Sequence, residues 1–386
     1  MNFVIEARPS VCAALDAHRV RQAPYAMTNT KLLRFGFAAL IFVGCGGGGT
    51  DPKPDPTPKC PVGPCYKNAV LDQDFPDPSL LLAQDGYYYA YATQTVAGNG
   101  QQLNIQAAKS LDLVHWTYLG EVLPGGASWT NGFWAYWAPH VVYAPEQTRY
   151  IMYYSAHSAT ANGMCIAIAT STAPAGPYVD IGAPLVCDTG FRDIDPMAFD
   201  DAASGKRYLY WGSDAQPLKV QELAADRVSF AVGSTPTDIL SPRTETRFTA
   251  LIEGPWVIKR GTYYYLFYSG DNCCAGPNSS YAVMVARATT PLGPFTRLGT
   301  TNSNNSSVIL GPGGNWIAPG HNAIITDNAG NDWIVYHAVD PLRPTFPGGT
   351  RRPLLIDRLR YNADGWPFVQ DGAASFDSLP APAVVH

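Results

Sequence analysis

Charge is scarce in this chain. Asp, Glu, Lys and Arg make up 15% of its 386 residues, and the net charge is −5. No basic patch is interleaved with aromatics, so a nucleic-acid partner is not expected. Apolar residues nowhere recur at helical spacing for more than a stray turn, which excludes a helical bundle. Long hydrophobic runs are missing too: the stretch Phe35–Gly44 (FGFAALIFVG) is too brief to cross a bilayer. The cysteines show no C-x-x-C spacing, so zinc is not expected. What the chain has instead is 36 glycines, 33 prolines and 12% aromatics, the composition of many short strands joined by tight turns.

The aromatics are periodic. Tyrosine-rich strands are predicted at Tyr87–Thr93 (YYYAYAT), Arg149–Ala156, Arg207–Ser213 (RYLYWGS), Tyr263–Ser269 (YYYLFYS) and Asp332–Ala338 (DWIVYHA). Most are followed by a strand, a small or polar turn and an aromatic: IQAAKSLDLVHW, IAIATSTAPAGPY and VMVARATTPLGPF. The third copy, around Lys219–Phe230, is degenerate, and the last, Leu354–Pro367, diverges in its turn. The period of roughly 55–70 residues lies in the range of the longer propeller-blade repeats. An all-β fold, a five-bladed β-propeller, is therefore predicted. Upstream of the five tyrosine strands lie, in order, Asp77, Trp137–Pro139, Asp195, Glu253 and His321. In a propeller these places sit on the innermost strands, so three carboxylates and a histidine would meet at one axis.

The ends read differently. Residues 1–26 match neither a fold nor a targeting signal and are read as a mis-assigned leader, with translation starting at Met27. Lys31, Arg34 and the short apolar run compose a secretory signal over residues 27–45. It ends at Cys45, as bacterial lipoprotein signals do, although Phe42 stands where such signals usually carry leucine; a conventional signal peptide is the alternative. Residues 46–66 form a Pro- and Gly-rich tether, 67–375 the propeller and 376–386 a tail. The protein is thus expected to be exported, to touch a membrane only through a lipid on Cys45, and to be a monomer. Apart from Cys12 and Cys45, six cysteines allow disulfides, with Cys60–Cys65 and Cys165–Cys187 as plausible pairs; Cys273-Cys274 is harder to interpret.

Two aspartates and a glutamate around a pocket walled by aromatics from Phe133–Val142 suit glycoside hydrolysis. One carboxyl must protonate the leaving oxygen, and another must activate water or attack the anomeric carbon. Glu253, in the apolar setting Ile252–Trp256, is the better acid; Asp77 would be the base and Asp195 the modulator of the acid's pKa.

The motifs FPDPS at 75–79, YWAP at 136–139, DIDP at 193–196, EGPWV at 253–257, GHNAI at 320–324 and DGWP at 364–367 resemble glycoside hydrolase family 43. The resemblance covers about residues 68–370. It implies a five-bladed propeller and an arabinanase, arabinofuranosidase or xylosidase acting on plant cell-wall oligo- or polysaccharide. Residue by residue it implies Asp77 as general base, Asp195 as modulator and Glu253 as general acid of an inverting mechanism. His321 would help hold a hydrated calcium ion. Arg352 would reach the glycone site, and Trp137 would wall the −1 subsite. Phe75 is a further substrate-side candidate, standing where endo-acting members often carry the histidine of an HDPS motif. The segment 267–288 (FYSGDNCCAGPNSSYAVMVARA) is similar to the arabinan-directed branches, so α-L-arabinofuranosidic linkages are the expected target and β-xyloside the alternative. A non-catalytic carbohydrate-binding propeller and a retaining transglycosidase are the rival readings.

Overall fold

A computed structural model describes Cys60, residues 63–130 and residues 132–384. The leader, the signal with Cys45 and most of the tether lie outside the described residues.

Five antiparallel sheets follow one another along the chain, each built from a single contiguous segment. Blade 1 comprises Ser79–Leu82, Tyr88–Ala92, Gln106–Ser110 and Trp116–Glu121. Blade 2 opens with Tyr136–Ala144 and Arg149–Ser158, blade 3 with Met197–Asp201 and Lys206–Trp211, blade 4 with Ile252–Arg260 and Tyr263–Asn272, and blade 5 with Ile317–Thr326 and Asp332–Val339. The first strand of each blade touches the first strand of the next, and that of blade 5 touches that of blade 1. This is the predicted five-bladed propeller.

The tyrosine-rich segments are the second strands. Blades stack face to face, so a second strand buries both faces and its sequence need not alternate. Tyr88–Ala92 is buried at every position, as is nearly all of Tyr263–Asn272. Buried phenols need acceptors, and the turns of the next blade supply them. Tyr91 donates to the carbonyl of Pro174, Tyr153 to Arg227, Tyr210 to Pro291 and Tyr265 to Gly365. The repeated turns APAGPY, TPLGPF and DGWP therefore act as sockets for the preceding blade.

Among the described residues no strand is shared across the closure. The segment before blade 1 instead runs along blade 5, with the amides of Val70 and Phe75 donating to the carbonyls of Leu354 and Arg352. Tyr66 and Asn68 both reach Asp357, which also accepts from Tyr336. Cys65–Tyr66 pairs with Leu379–Pro380. The tether boundary drawn at 66 therefore falls late, because Cys65 and Tyr66 already belong to the folded body, and part of the 376–386 tail is their partner.

All three disulfides form: Cys60–Cys65, Cys165–Cys187 and the adjacent pair Cys273–Cys274. Cys165 and Cys187 face each other across paired strands, which explains that bridge. Among the described residues no helix is long and apolar enough to cross a membrane.

Candidate active site

Near the axis each first strand, or the residue pair just ahead of it, passes through a left-handed residue: Asp77 (φ 53°), Ala138 (46°), Asp195 (61°), Gly254 (59°) and His321 (47°). Such a φ costs an L-residue roughly 1–2 kcal/mol, so its recurrence in all five blades marks a built feature. Proline follows in four of the five. The ladder register shifts at these points in blades 2, 4 and 5. The resulting kink aims the neighbouring side chains at the hub.

Asp77, Asp195, Glu253, His321 and Arg352 come together there. Arg352 Nη1 donates to Asp77 Oδ1 at 2.8 Å, and the Thr93 hydroxyl donates to Asp77 Oδ2 at 2.6 Å. His321 Nδ1 lies 3.6 Å from Asp77 Oδ1 and 3.9 Å from Asp195 Oδ2. Glu253 has a donor on each oxygen, the Ser213 hydroxyl on Oε2 and the Tyr281 phenol on Oε1, both at 2.7 Å. Asp195 Oδ2 accepts the amide of Gly254 at 3.0 Å.

These contacts set the protonation states. Burial pushes the Asp77 carboxyl up, but the Arg352 guanidinium beside it overrides this and holds it well below the usual carboxylate range. Burial pushes Glu253 up, only partly offset by Ser213 and Tyr281. Asp195 is raised by burial and then by the charges of Glu253 and Asp77. Two carboxyls in one dry site ionise together only at high cost, so Asp195 and Glu253 retain a proton where a solvated carboxyl would lose it. The site therefore offers one ionised carboxylate and a neighbouring protonated acid.

Glu253 differs from its predicted equivalence in one respect. The residues matching Asp77 and Asp195 are Ala138, Gly254 and His321; Glu253 stands one position earlier, level with Trp137 and Gly320. Register shows this, since Trp137 pairs with Ser155, Glu253 with Ser269 and Gly320 with His337. Trp137 is half-buried against Ala135, Met164, Ile194 and Phe191. Phe75 is a correction. It is fully buried, packs edge-on against Tyr118 and lies in the main core, so it cannot touch a substrate. An HDPS motif laid on Pro76–Ser79 puts its histidine at Pro76, not at Phe75.

Several site residues escaped the sequence reading. His337 is buried and pushed to about 4 by that burial, so it stays neutral and its Nδ1 accepts the Asp77 amide at 3.0 Å. Asp74 accepts the Arg352 amide and the Thr95 hydroxyl, and burial raises it to about 6. Tyr281 stacks on His337, with ring centroids 5.8 Å apart. Gly320 makes room for it, because a Cβ there would lie 2.0 Å from Tyr281 Cδ1. Cys273 of the adjacent-cysteine bridge packs on Tyr281, Ala318 and Val339, and the Gly276 amide ties the same loop to Thr350. The available signal was positional: Thr93, Ser155, Ser213, Ser269 and His337 are each the polar residue that follows the aromatic run of a tyrosine-rich strand.

Among the described residues no group of three or more His, Cys, Asp and Glu side chains converges as a metal cage. In the cavity that His321 lines together with Ser79 and Asn322, however, the Ser79 hydroxyl and both side-chain polar atoms of Asn322 are buried without a partner. Neutral oxygens of this kind are donors that calcium accepts.

Comparison with known proteins agrees with this architecture. The family model for glycosyl hydrolases family 43 matches residues 66–367. A probable arabinan endo-1,5-alpha-L-arabinosidase A of Aspergillus flavus is 33% identical over 277 residues, covering 68% of this chain and 82% of that protein. A beta-D-galactofuranosidase of Aspergillus niger is 31% identical over 316 residues, covering 77% and 83%. The crystal structure of an exo-1,5-alpha-L-arabinanase from a bovine ruminal metagenomic library superposes with a TM-score of 0.62 at 25% identity, covering 79% of this chain and 99% of that one. With a propeller hub that assembles the expected carboxylates and a family match over most of its length, this chain belongs to glycosyl hydrolases family 43 and is an O-glycosyl hydrolase.

Proposed function

We propose that the enzyme cleaves α-L-arabinofuranosidic linkages of arabinan or arabinoxylan by single displacement with inversion. The observation that carries this reading is the opposite treatment of two carboxyls in one cavity. Asp77 is held ionised by Arg352 and Thr93, while the partly buried Glu253 is raised by its desolvation. In this mechanism Glu253 gives its proton to the glycosidic oxygen as the bond to the anomeric carbon breaks. Asp77 takes a proton from the water that attacks the opposite face. Asp195 is assigned as the modulator: its Oδ2 accepts the Gly254 amide and so fixes the strand that carries the acid, while burial and the charge of Asp77 keep that acid protonated. Arabinan-acting relatives support the sugar; Trp137 is assigned to the wall of the −1 subsite.

Calcium is proposed as a structural ion, held through water by His321 with Asn322 and Ser79. When bound it would supply positive charge to the site. Chelator treatment of the purified protein is then expected to lower the melting temperature, and added Ca²⁺ to restore it. A melting curve indifferent to both removes the ion from the site. Export is proposed from the signal at residues 27–45, with lipidation at Cys45. Three disulfides fit an oxidising compartment.

Aryl α-L-arabinofuranoside, aryl β-D-xyloside, aryl β-D-galactofuranoside and linear arabinan, assayed side by side, test the specificity. The arabinosyl substrates are expected to give the highest kcat/KM, with a product whose first-formed anomer by NMR is inverted. Preference for the xyloside or galactofuranoside would overturn the sugar assignment, and a retained anomer the mechanism.

A further inference from the structure

The amides of the five left-handed residues ring the axis, and four of them stitch one blade to the previous one. Ala138 donates to Thr93 Oγ1 at 2.8 Å, Asp195 to Ser155 Oγ at 3.0 Å, His321 to Ser269 Oγ at 2.8 Å and Asp77 to His337 Nδ1 at 3.0 Å. Each acceptor lies toward the C-terminal end of a second strand, within its last four residues or just past it. The fifth link should run from the Gly254 amide to Ser213. It does not. That amide goes to Asp195 Oδ2 at 3.0 Å, and the Ser213 hydroxyl turns to Glu253 Oε2 at 2.7 Å.

The exception falls at the junction of blades 3 and 4, where the acid sits. Ser213 is fully buried, so its hydroxyl needs a partner. A carboxylate has taken over the stitching that a serine performs elsewhere.

We propose that Ser213 is a positioning residue for general-acid catalysis: released from the inter-blade belt, its hydroxyl fixes the rotamer of Glu253 and tunes the readiness of that carboxyl to give up its proton. The Asp195 carboxylate replaces it as the link between blades 3 and 4. Tyr281 donates to the other oxygen of Glu253, so the acid is held at both oxygens. This rests on the reading of Glu253 as the acid.

A hydroxyl that donates to a carboxylate favours the ionised form. Removing it in Ser213→Ala should therefore move the alkaline limb of the kcat/KM–pH profile upward, by about one unit for a charge-assisted hydrogen bond. At the optimum kcat should fall roughly tenfold on slow-leaving substrates, with KM little changed. Ser213→Thr, which copies Thr93 in blade 1, should return the limb toward its original position. Ser155→Ala and Ser269→Ala cut true stitches and should melt lower than wild type, whereas Ser213→Ala should melt close to it. An unmoved limb in Ser213→Ala, with a melting temperature lowered as in Ser155→Ala, would show Ser213 to be one more stitch and overturn the proposal. Glu253→Ala, run in parallel, separates the two readings. Full activity there sinks the acid assignment itself, whereas its loss beside an unmoved Ser213→Ala limb sinks only the role given to Ser213.

Discussion

Glu253→Ala is expected to lower kcat on linear arabinan by roughly a hundredfold to ten-thousandfold, the usual contribution of a general acid. That range corresponds to about 3–5 kcal/mol of transition-state stabilisation. The loss should be smaller on an aryl glycoside whose phenolate leaves unaided. Binding of arabino-oligosaccharide, measured by calorimetry, should change little, because the acid is needed mainly as the bond breaks. The same variant separates an enzyme from a sugar-binding propeller. Wild-type turnover in Glu253→Ala would mean that another group supplies the proton and that the rest of the site has been misread.

The second large effect concerns Asp77, the carboxylate proposed as the base. Arg352 and Asp77 form a contact at 2.8 Å, in which both side chains are about one-tenth exposed. In Arg352→Met the carboxylate keeps its burial and loses its cation. Breaking a buried pair by removing one partner costs about 3–5 kcal/mol, so a lower melting temperature is expected. The pH dependence follows from the sign of the shift. In the wild type Asp77 sits below its unfolded value of 3.8, so the stability it contributes is present above that value and lost only as pH falls toward the lower folded one. Without Arg352, burial is the largest influence left and the carboxyl moves up. The acid limb of kcat/KM should then climb into the mildly acidic range, with the deficit greatest at low pH and partly recovered at high pH. A uniform loss across pH would assign Arg352 to sugar binding alone. Asp195 variants are harder to read, since Asp195 also carries the link between blades 3 and 4 through the Gly254 amide; their activity should be compared only alongside their melting curves.

The repeat was legible because it is written locally. Each blade needs a second strand buried on both faces, hence YYYAY and YYYLFYS, and a turn whose carbonyl meets a tyrosine of the preceding blade, hence APAGPY and TPLGPF. Asp-Pro, Ala-Pro and Gly-Pro pairs marked the kinks that carry the site. Composition and punctuation over a few residues suffice for such features, since they reflect strand propensity and turn chemistry. Phe75 shows where that reasoning fails. Two residues from Asp77, it points into the core although strand alternation alone would set the two side chains on one face, because the left-handed residue at Asp77 (φ 53°) breaks that alternation.

By itself, then, the order of residues determined that five β-sheets would follow one another, that Asp77, Asp195, Glu253 and His321 would near a common hub, and that cysteine pairs could bridge. Tertiary structure alone decided which atoms meet there. The partner of Asp77 is 275 residues away, and that of Glu253 is 40 residues away in another blade. A left-handed residue in each blade resets the facing by one position, which seats Glu253 one place out of step with the aspartates. Ser155, Ser213 and Ser269 are indistinguishable as sequence, each a serine closing an apolar strand. Only the carboxylate that claims the Gly254 amide frees Ser213 for the acid, and that competition for one donor exists only once the blades have closed around the axis.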